Sequence, residues 1–398
     1  MTASSTSLPR AGVSLQPSRR SAVAPFIVMD VMEHAARIEA AGGRVMHLEV
    51  GQPAAPAPRV ARQAAADAIA AGQVAYTAAL GIPGLRARIA RHYEETHKIA
   101  LDPERVVVTN GSSGGFILAF LALFEAGDRV AIAAPGYPPY RHVLSALGCE
   151  PVLIETRAED RHALTPERLM EAHRAAPLKG VLVASPGNPT GTMMDRPALA
   201  ALYDCARELG LAFVSDEIYH GLDYAFPAVS AVEIAEDVTV INSFSKYFCM
   251  TGWRVGWMVV PPGLSRTMER LQQNLSISVP TLSQIAAAAA FEGREEMDRV
   301  KAGYVENRRI LTEGLPKVGL SHFLPADGAF YLYADVSAFT GDSAAFATRM
   351  LDAVHVATTP GVDFDPFRGK QFLRLSYAGS ATDMREAVER IGAFLKKE

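Results

Sequence analysis

A chain of 398 residues exceeds the roughly 250–300 residues over which a single core keeps growing, so two domains are expected. With 49% hydrophobic residues, 21% charged residues and a formal net charge of -4, the composition is globular and offers no basic field for nucleic acid or an anionic membrane surface. Cys149, Cys205 and Cys249 lie far apart and in no metal-ligand or redox spacing, which points to reduced thiols in a cytoplasmic setting, with no disulfide framework and no metal site.

Residues 1–24 are rich in Ser, Pro and Arg with no acid before Asp30, and read as a flexible segment; an organellar transit peptide is the other reading. Residues 26–41 carry apolar side chains at helical spacing and stop at Gly42-Gly43. His47-Leu48-Glu49-Val50 leads into Gly51-Gln52-Pro53 and a proline-rich loop. A second amphipathic helix is expected over 60–71, and Gly81-Ile82-Pro83-Gly84-Leu85-Arg86 opens a third. From Arg105 the pattern becomes strand, glycine-rich turn, helix, and it repeats. Strand candidates stand at 106–109, 129–133, 151–154, 181–184, 212–215 and 238–241. Such alternation predicts an α/β fold with a mainly parallel sheet covered by helices on both faces, its ligands collecting beyond the carboxyl ends of the strands. Beyond Pro261-Pro262-Gly263 a helix-rich stretch precedes a strand at 328–333, a helix over 343–354, a strand at 372–377 and a closing helix over 381–397. A smaller α+β domain is expected from 25–54 and 295–398, and a larger one from 55–294. The apolar runs, 285–291 among them, are far short of the roughly 18 residues of a membrane span.

One stretch organises the chain: Ser243-Phe244-Ser245-Lys246-Tyr247-Phe248-Cys249-Met250-Thr251-Gly252-Trp253-Arg254. It follows a β-branched run, so Lys246 should stand just past a strand's carboxyl end, bracketed by hydroxyl donors and a fixed cation. An amine so placed can condense with the aldehyde of a phosphorylated cofactor. Asp216, in Ser215-Asp216-Glu217-Ile218-Tyr219, follows another buried strand, and Gly111-Ser112-Ser113-Gly114-Gly115 opens a helix directly after a third. That last turn is a ready anion site at a helix N-terminus. It is neither a dinucleotide fingerprint nor a P-loop.

The S-x-S-K and T-G-W-R-x-G-W patterns resemble those of fold type I aminotransferases, the aspartate aminotransferase superfamily. The resemblance covers the chain from about Gly51 to Tyr377 and implies a seven-stranded-type large-domain sheet with pyridoxal 5'-phosphate as cofactor. By that resemblance Lys246 attaches the cofactor covalently, and Asp216 keeps the pyridine nitrogen protonated. Tyr219 and Asn188 donate to the ring oxygen, and Tyr137 stacks on the ring. The phosphate is cradled by Gly111, Ser112, Ser113, Ser243, Ser245 and Arg254. Arg374 grips the substrate carboxylate, with the backbone of Gly51 and the side chain of Asn188 beside it. Tyr76 reaches the phosphate of a partner subunit's cofactor, which implies a homodimer with shared active sites.

The expected activity is ping-pong transfer of an amino group between an L-amino acid and a 2-oxo acid, with Lys246, Asp216 and Tyr219 catalytic. The distal pocket departs from the acidic-substrate pattern: Ser113 stands where some members carry a lysine, and 276–281 holds no arginine. Neutral or aromatic donors are therefore favoured, although Arg19 or Arg20 on an N-terminal arm could supply a charge for aspartate. A carbon-sulfur lyase or decarboxylase would share Lys246, Asp216 and Arg254. A cofactor-sensing regulator would need a DNA-binding module that the short, weakly basic start of the chain lacks room for.

Overall fold

The computed structural model describes residues 16–398; the expectation for residues 1–15 lies outside them. Residues 16–24 are exposed around a 3-10 turn at Arg19–Ser21. The strands are β1 (Met46–His47), β2 (Val106–Thr109), β3 (Arg129–Ala134), β4 (Glu150–Glu155), β5 (Gly180–Ala184), β6 (Ala212–Asp216), β7 (Thr239–Ser243), β8 (Gly256–Val259), β9 (Tyr331–Asp335), β10 (Val356–Ala357), β11 (Thr359–Pro360) and β12 (Phe372–Ser376).

Among the described residues, β2 to β8 form one seven-stranded sheet in the order β2-β8-β7-β6-β5-β3-β4. Its pairs are parallel except for β8, which runs antiparallel to β2 and β7. Sequence reasoning misses β8 because Gly256-Trp257-Met258-Val259 lacks a β-branched run. It also ends β7 too early: Asn242 and Ser243 stay in the strand because they continue to pair with Trp257 and Gly256.

The side-chain period of two sends alternate residues to opposite faces. Val106, Val108, Val181, Val183 and Val240 feed one core, while Val107, Leu182, Val214, Ile241 and Met258 feed the other. Both faces are thus buried, which is why these strands read as continuous apolar runs. Helix Gly111–Leu123 packs Phe116 and Phe120 into the second core.

A second sheet is antiparallel, in the order β11-β12-β9, and β1 pairs with β10 in parallel. Helices Arg294–Gly314, Ser343–Val354 and Ala381–Leu395 bury Leu311, Phe346 and Ile391 in one core with Leu332, Leu373 and Leu375. Local capping starts the last two: Asp342 accepts from the Ala344 and Ala345 N–H groups, and Ser380 from that of Asp383.

Phe120 is 1% exposed and its ring meets those of Phe116 and Phe124 at 6.0 and 6.1 Å. Phe120→Ala should lower unfolding free energy by about 3–5 kcal/mol, read as a drop in urea midpoint with an unchanged slope; a loss under about 1 kcal/mol would show that the core collapses around the cavity.

Candidate active site

The sheet order decides where the chemistry gathers. Because β8 reverses against β7, the chain between Ser243 and Gly256 turns back at the carboxyl edge of the sheet and hangs Lys246 there. β2 is antiparallel to β8 and therefore runs the same way as β7, so Gly111 emerges at that edge too. Asp216 ends β6 and Asn188 lies in the turn after β5, on the same side. Arg374 comes from β12, outside this sheet.

Lys246, Asp216, Asn188 and Arg374 meet in one cavity of about 530 Å³. Lys246 Nζ donates to the Gly51 carbonyl at 2.5 Å and lies 5.8 Å from the Tyr219 ring centre. Burial first, then the charge of Arg374, pushes the Lys246 amine down to about 8, with Asp216 acting in the opposite sense. The sequence points to Arg254 as the neighbouring cation that matters; Arg374 has the larger effect, because β12 brings it close.

Asp216 receives a hydrogen bond from the Tyr140 hydroxyl on Oδ2 and one from the Ile218 N–H on Oδ1 at 3.0 Å. Burial nevertheless pushes its carboxyl up to about 6. The Arg374 guanidinium lies between the faces of Tyr331 and Phe364, at 4.5 and 4.7 Å from their centres. It donates to Asn188 Oδ1 at 3.1 Å, to Thr359 Oγ1 at 3.1 Å and to the Glu49 carbonyl. Its Nε is buried without a partner, a donor held ready for an acceptor the chain does not supply.

At the other end, Arg254 has a φ of +51° and donates to the Thr251 carbonyl at 2.9 Å. Its guanidinium lies against Gly111, at φ +67°, where any Cβ would strike it. The glycine thus permits a cation to sit on the N-terminus of helix Gly111–Leu123, beside Ser112, Ser113 and Ser245.

Of the sequence-predicted residues, Gly51, Ser112, Ser113, Tyr137, Asn188, Asp216, Tyr219, Ser245, Lys246, Arg254 and Arg374 line this cavity. Ser243 does not; it is buried behind Ser245, whose hydroxyl is 2.8 Å from its own. Gly111 acts through Arg254 as described. Tyr76 is 82% exposed and lies away from the cavity of its own chain. Arg19 and Arg20 sit on an exposed turn and do not line it. Sequence reasoning overlooks Tyr140, which holds Asp216, and Tyr331, whose hydroxyl is 2.8 Å from that of Tyr219. Tyr140 shares the Pro135-Gly136-Tyr137 run, a positional signal; Tyr331 reads only as a strand residue.

The donor set fits pyridoxal 5'-phosphate: a cation and hydroxyls at a helix N-terminus suit a phosphate, a buried carboxylate suits a ring N–H, and a lysine with a depressed pKa suits an aldehyde. The whole chain agrees, matching the family Aminotransferase class I and II over residues 43–391.

The chain belongs to the class I and II aminotransferases.

This aminotransferase is 49% identical to the valine–pyruvate aminotransferase of Mycobacterium tuberculosis over 383 residues, 95% of this chain and 98% of the relative. The crystal structure of an aminotransferase from Mycobacterium tuberculosis superposes with a TM-score of 0.94 at 47% identity, covering 97% of this chain and 100% of that one. The aspartate aminotransferase of Thermus thermophilus with maleate superposes with a TM-score of 0.89 at 31% identity, covering 95% and 99%. The fold type I architecture expected from the 243–254 motif is borne out. The aminotransferase uses pyridoxal 5'-phosphate and moves an amino group between an amino acid and a keto acid. No helix of the described residues is long and apolar enough to cross a membrane.

Only the neutral amine is nucleophilic. Reductive methylation of the cofactor-free aminotransferase with formaldehyde should therefore label Lys246 with a midpoint near pH 8, read by peptide mass spectrometry, rather than near the 10.5 of a free lysine. A midpoint above pH 10 would mean that the cavity does not depress it.

Proposed function

We propose that the aminotransferase takes its amino group from neutral, apolar L-amino acids and that the residues around Lys246 run a ping-pong reaction. The observation that carries the donor class is the cavity lining. Lys246, Arg254 and Arg374 are its cations among the described residues, and each has a task assigned below. The remaining wall includes Phe26, Val28, Met29 and Met32, from the segment that enters helix Ile27–Ala40 and from its first turns. A donor carboxylate beyond the α-carboxylate would be buried there without a cation. The 49% identical relative named for valine and pyruvate supports the same class.

Bound in the cavity, pyridoxal 5'-phosphate supplies an aldehyde carbon that captures amines and a ring that draws electrons from the substrate α-carbon. Arg254, Ser112, Ser113 and Ser245 bind its phosphate, with Ser243 positioning Ser245. Asp216, oriented by Tyr140, holds the proton on the ring nitrogen. Asn188 and Tyr219 would supply donors for its ring oxygen, and Tyr137 an aromatic wall beside the ring. Arg374 would bind the α-carboxylate and so turn the α-hydrogen toward Lys246, whose neutral Nζ would take up that proton.

We also read residues 25–54 and 295–398 as a small domain, 55–294 as a large one, and the active form as a homodimer. Val74 and Tyr76 are exposed, as are Leu275 and Ile277. The two segments are tied together, since Thr281 donates to the Ala75 carbonyl at 2.5 Å and Gln284 to Thr77 Oγ1 at 2.9 Å. An exposed apolar patch carrying Tyr76 suits a second copy of the chain, which would bring Tyr76 to the other copy's phosphate.

Half-reactions with single donors test the donor class. Valine should exceed aspartate in kcat/KM by roughly ten- to hundredfold, the range expected when a buried charge lacks its partner; equal or faster aspartate overturns it. Subunit mixing tests the shared site. Lys246→Ala alone should give no turnover and Tyr76→Ala reduced turnover, whereas mixed and re-equilibrated subunits should regain activity, since each hybrid dimer holds one intact site. No gain on mixing, with exchange shown by mass, would refute sharing.

A further inference from the structure

A second cavity, of about 220 Å³, lies on the other side of the turn that carries Lys246 and plays no part in the mechanism above. Clefts for drug-sized ligands run to about 300–1,000 Å³, so this one suits a smaller molecule. Tyr247, Phe248, Trp257 and Phe291 give it aromatic walls. Its polar wall sets Arg88, Arg294 and Lys301 against Glu95, Asp223 and Asp298.

These charges balance, since burial pushes His92 down to about 3 and His97 and His220 to about 4, leaving the imidazoles neutral near pH 7. Arg88 is held by Glu95 at 3.2 Å and by Glu292 at 3.3 Å, but the other ion pairs are loose: Lys301 and Asp223 are 3.5 Å apart and Arg294 and Asp298 3.7 Å. Pairs of this kind contribute little, so an incoming ligand can open them.

His220 lines the cavity as a neutral ring. Its Nε2 lies 3.1 Å from the Ser185 carbonyl, which accepts only, so the ring proton sits on Nε2. Nδ1 is then a buried lone pair without a hydrogen-bond partner. Glu217 Oε2, 3.5 Å away, is itself an acceptor from the Ser230 hydroxyl. A ligand with a single net charge would leave one of the polar walls unmatched, whereas one carrying both an ammonium and a carboxylate matches both. The ammonium would face Asp223, and the carboxylate Lys301 and Arg88.

We propose that this cavity binds a second amino acid as its zwitterion, with an apolar or aromatic side chain against the rings, and that its occupancy shifts the Lys246 turn. Tyr247 provides the connection. It follows Lys246 directly, its hydroxyl donates to Asp298 Oδ1 at 2.8 Å, and its ring packs so close to Gly221 that a Cβ there would come within 2.7 Å of it. A ligand whose side chain lies against the Tyr247 ring in this cavity therefore presses on the residue next to the reactive amine.

The protein has two tryptophans, Trp253 and Trp257, so Trp253→Phe leaves Trp257 in the cavity wall as sole reporter. Holoenzyme of that variant, with its cofactor fixed to Lys246 by borohydride reduction, is titrated with L-valine and L-phenylalanine while Trp257 fluorescence is read. A saturable change is expected with at least one of them. It should persist when Arg374→Ala is added and weaken by about tenfold or more in the Asp223→Asn, Lys301→Met background, the loss expected for one unmatched charge. Circular dichroism and turnover of the parent carrying these two substitutions check that the fold survives. A change abolished by Arg374→Ala but kept in the Asp223→Asn, Lys301→Met protein would assign the binding to the substrate cavity and overturn the proposal. Absence of any saturable change would overturn it as well.

Discussion

The site depends on keeping one amine and one carboxylate out of water in the same cavity while each stays engaged with its own partners. Burial alone would drive Lys246 and Asp216 toward their neutral forms, and both move that way, the amine down to about 8 and the carboxyl up to about 6. Tyr140 and the Ile218 N–H hold the carboxylate from two sides, and the Gly51 carbonyl holds the amine. Arg374, fixed by Asn188, Thr359 and Glu49, adds a permanent charge that favours the uncharged amine.

The reversal at β8 makes that arrangement possible. The antiparallel neighbour brings the chain back into the same sheet beside β7, so residues 244–255 stay at its carboxyl edge, largely buried, instead of crossing over the face to a parallel position. The loop is held by its own core: Phe244, Phe248, Trp257 and Phe291 meet at ring-centre distances between 4.8 and 5.4 Å. Aromatic packing behind the loop and polar contacts in front of it therefore act on the same dozen residues. That is also why the second cavity, walled by three of those rings, shares its floor with the turn that carries the reactive amine.

Much of the site is legible because its members are local. Lys246, Asp216, Asn188 and the serines at 112 and 113 each follow a buried strand, and a strand ending in a polar turn is visible as a pattern of two or three residue types. The apolar runs reveal the strands because both faces of the sheet are covered. What escapes notice is held by partners remote in sequence. Tyr140 matters through Asp216, 76 residues away, and Tyr331 through Tyr219, 112 residues away. β8 escapes because its membership comes from pairing with β2 and β7 rather than from its own residues.

The sequence by itself determined the family, the parallel α/β pattern and the chemical character of the residues that can hold a phosphorylated aldehyde, because these follow from residue types at short spacing. Tertiary structure alone decided which cation governs the lysine, which hydroxyl orients the aspartate, and that Tyr76 is exposed outside the lining of its own cavity while Phe26, Val28, Met29 and Met32 are part of it. Those outcomes depend on charge separation and burial across distant segments, and no local pattern encodes a distance between residues that only folding brings together.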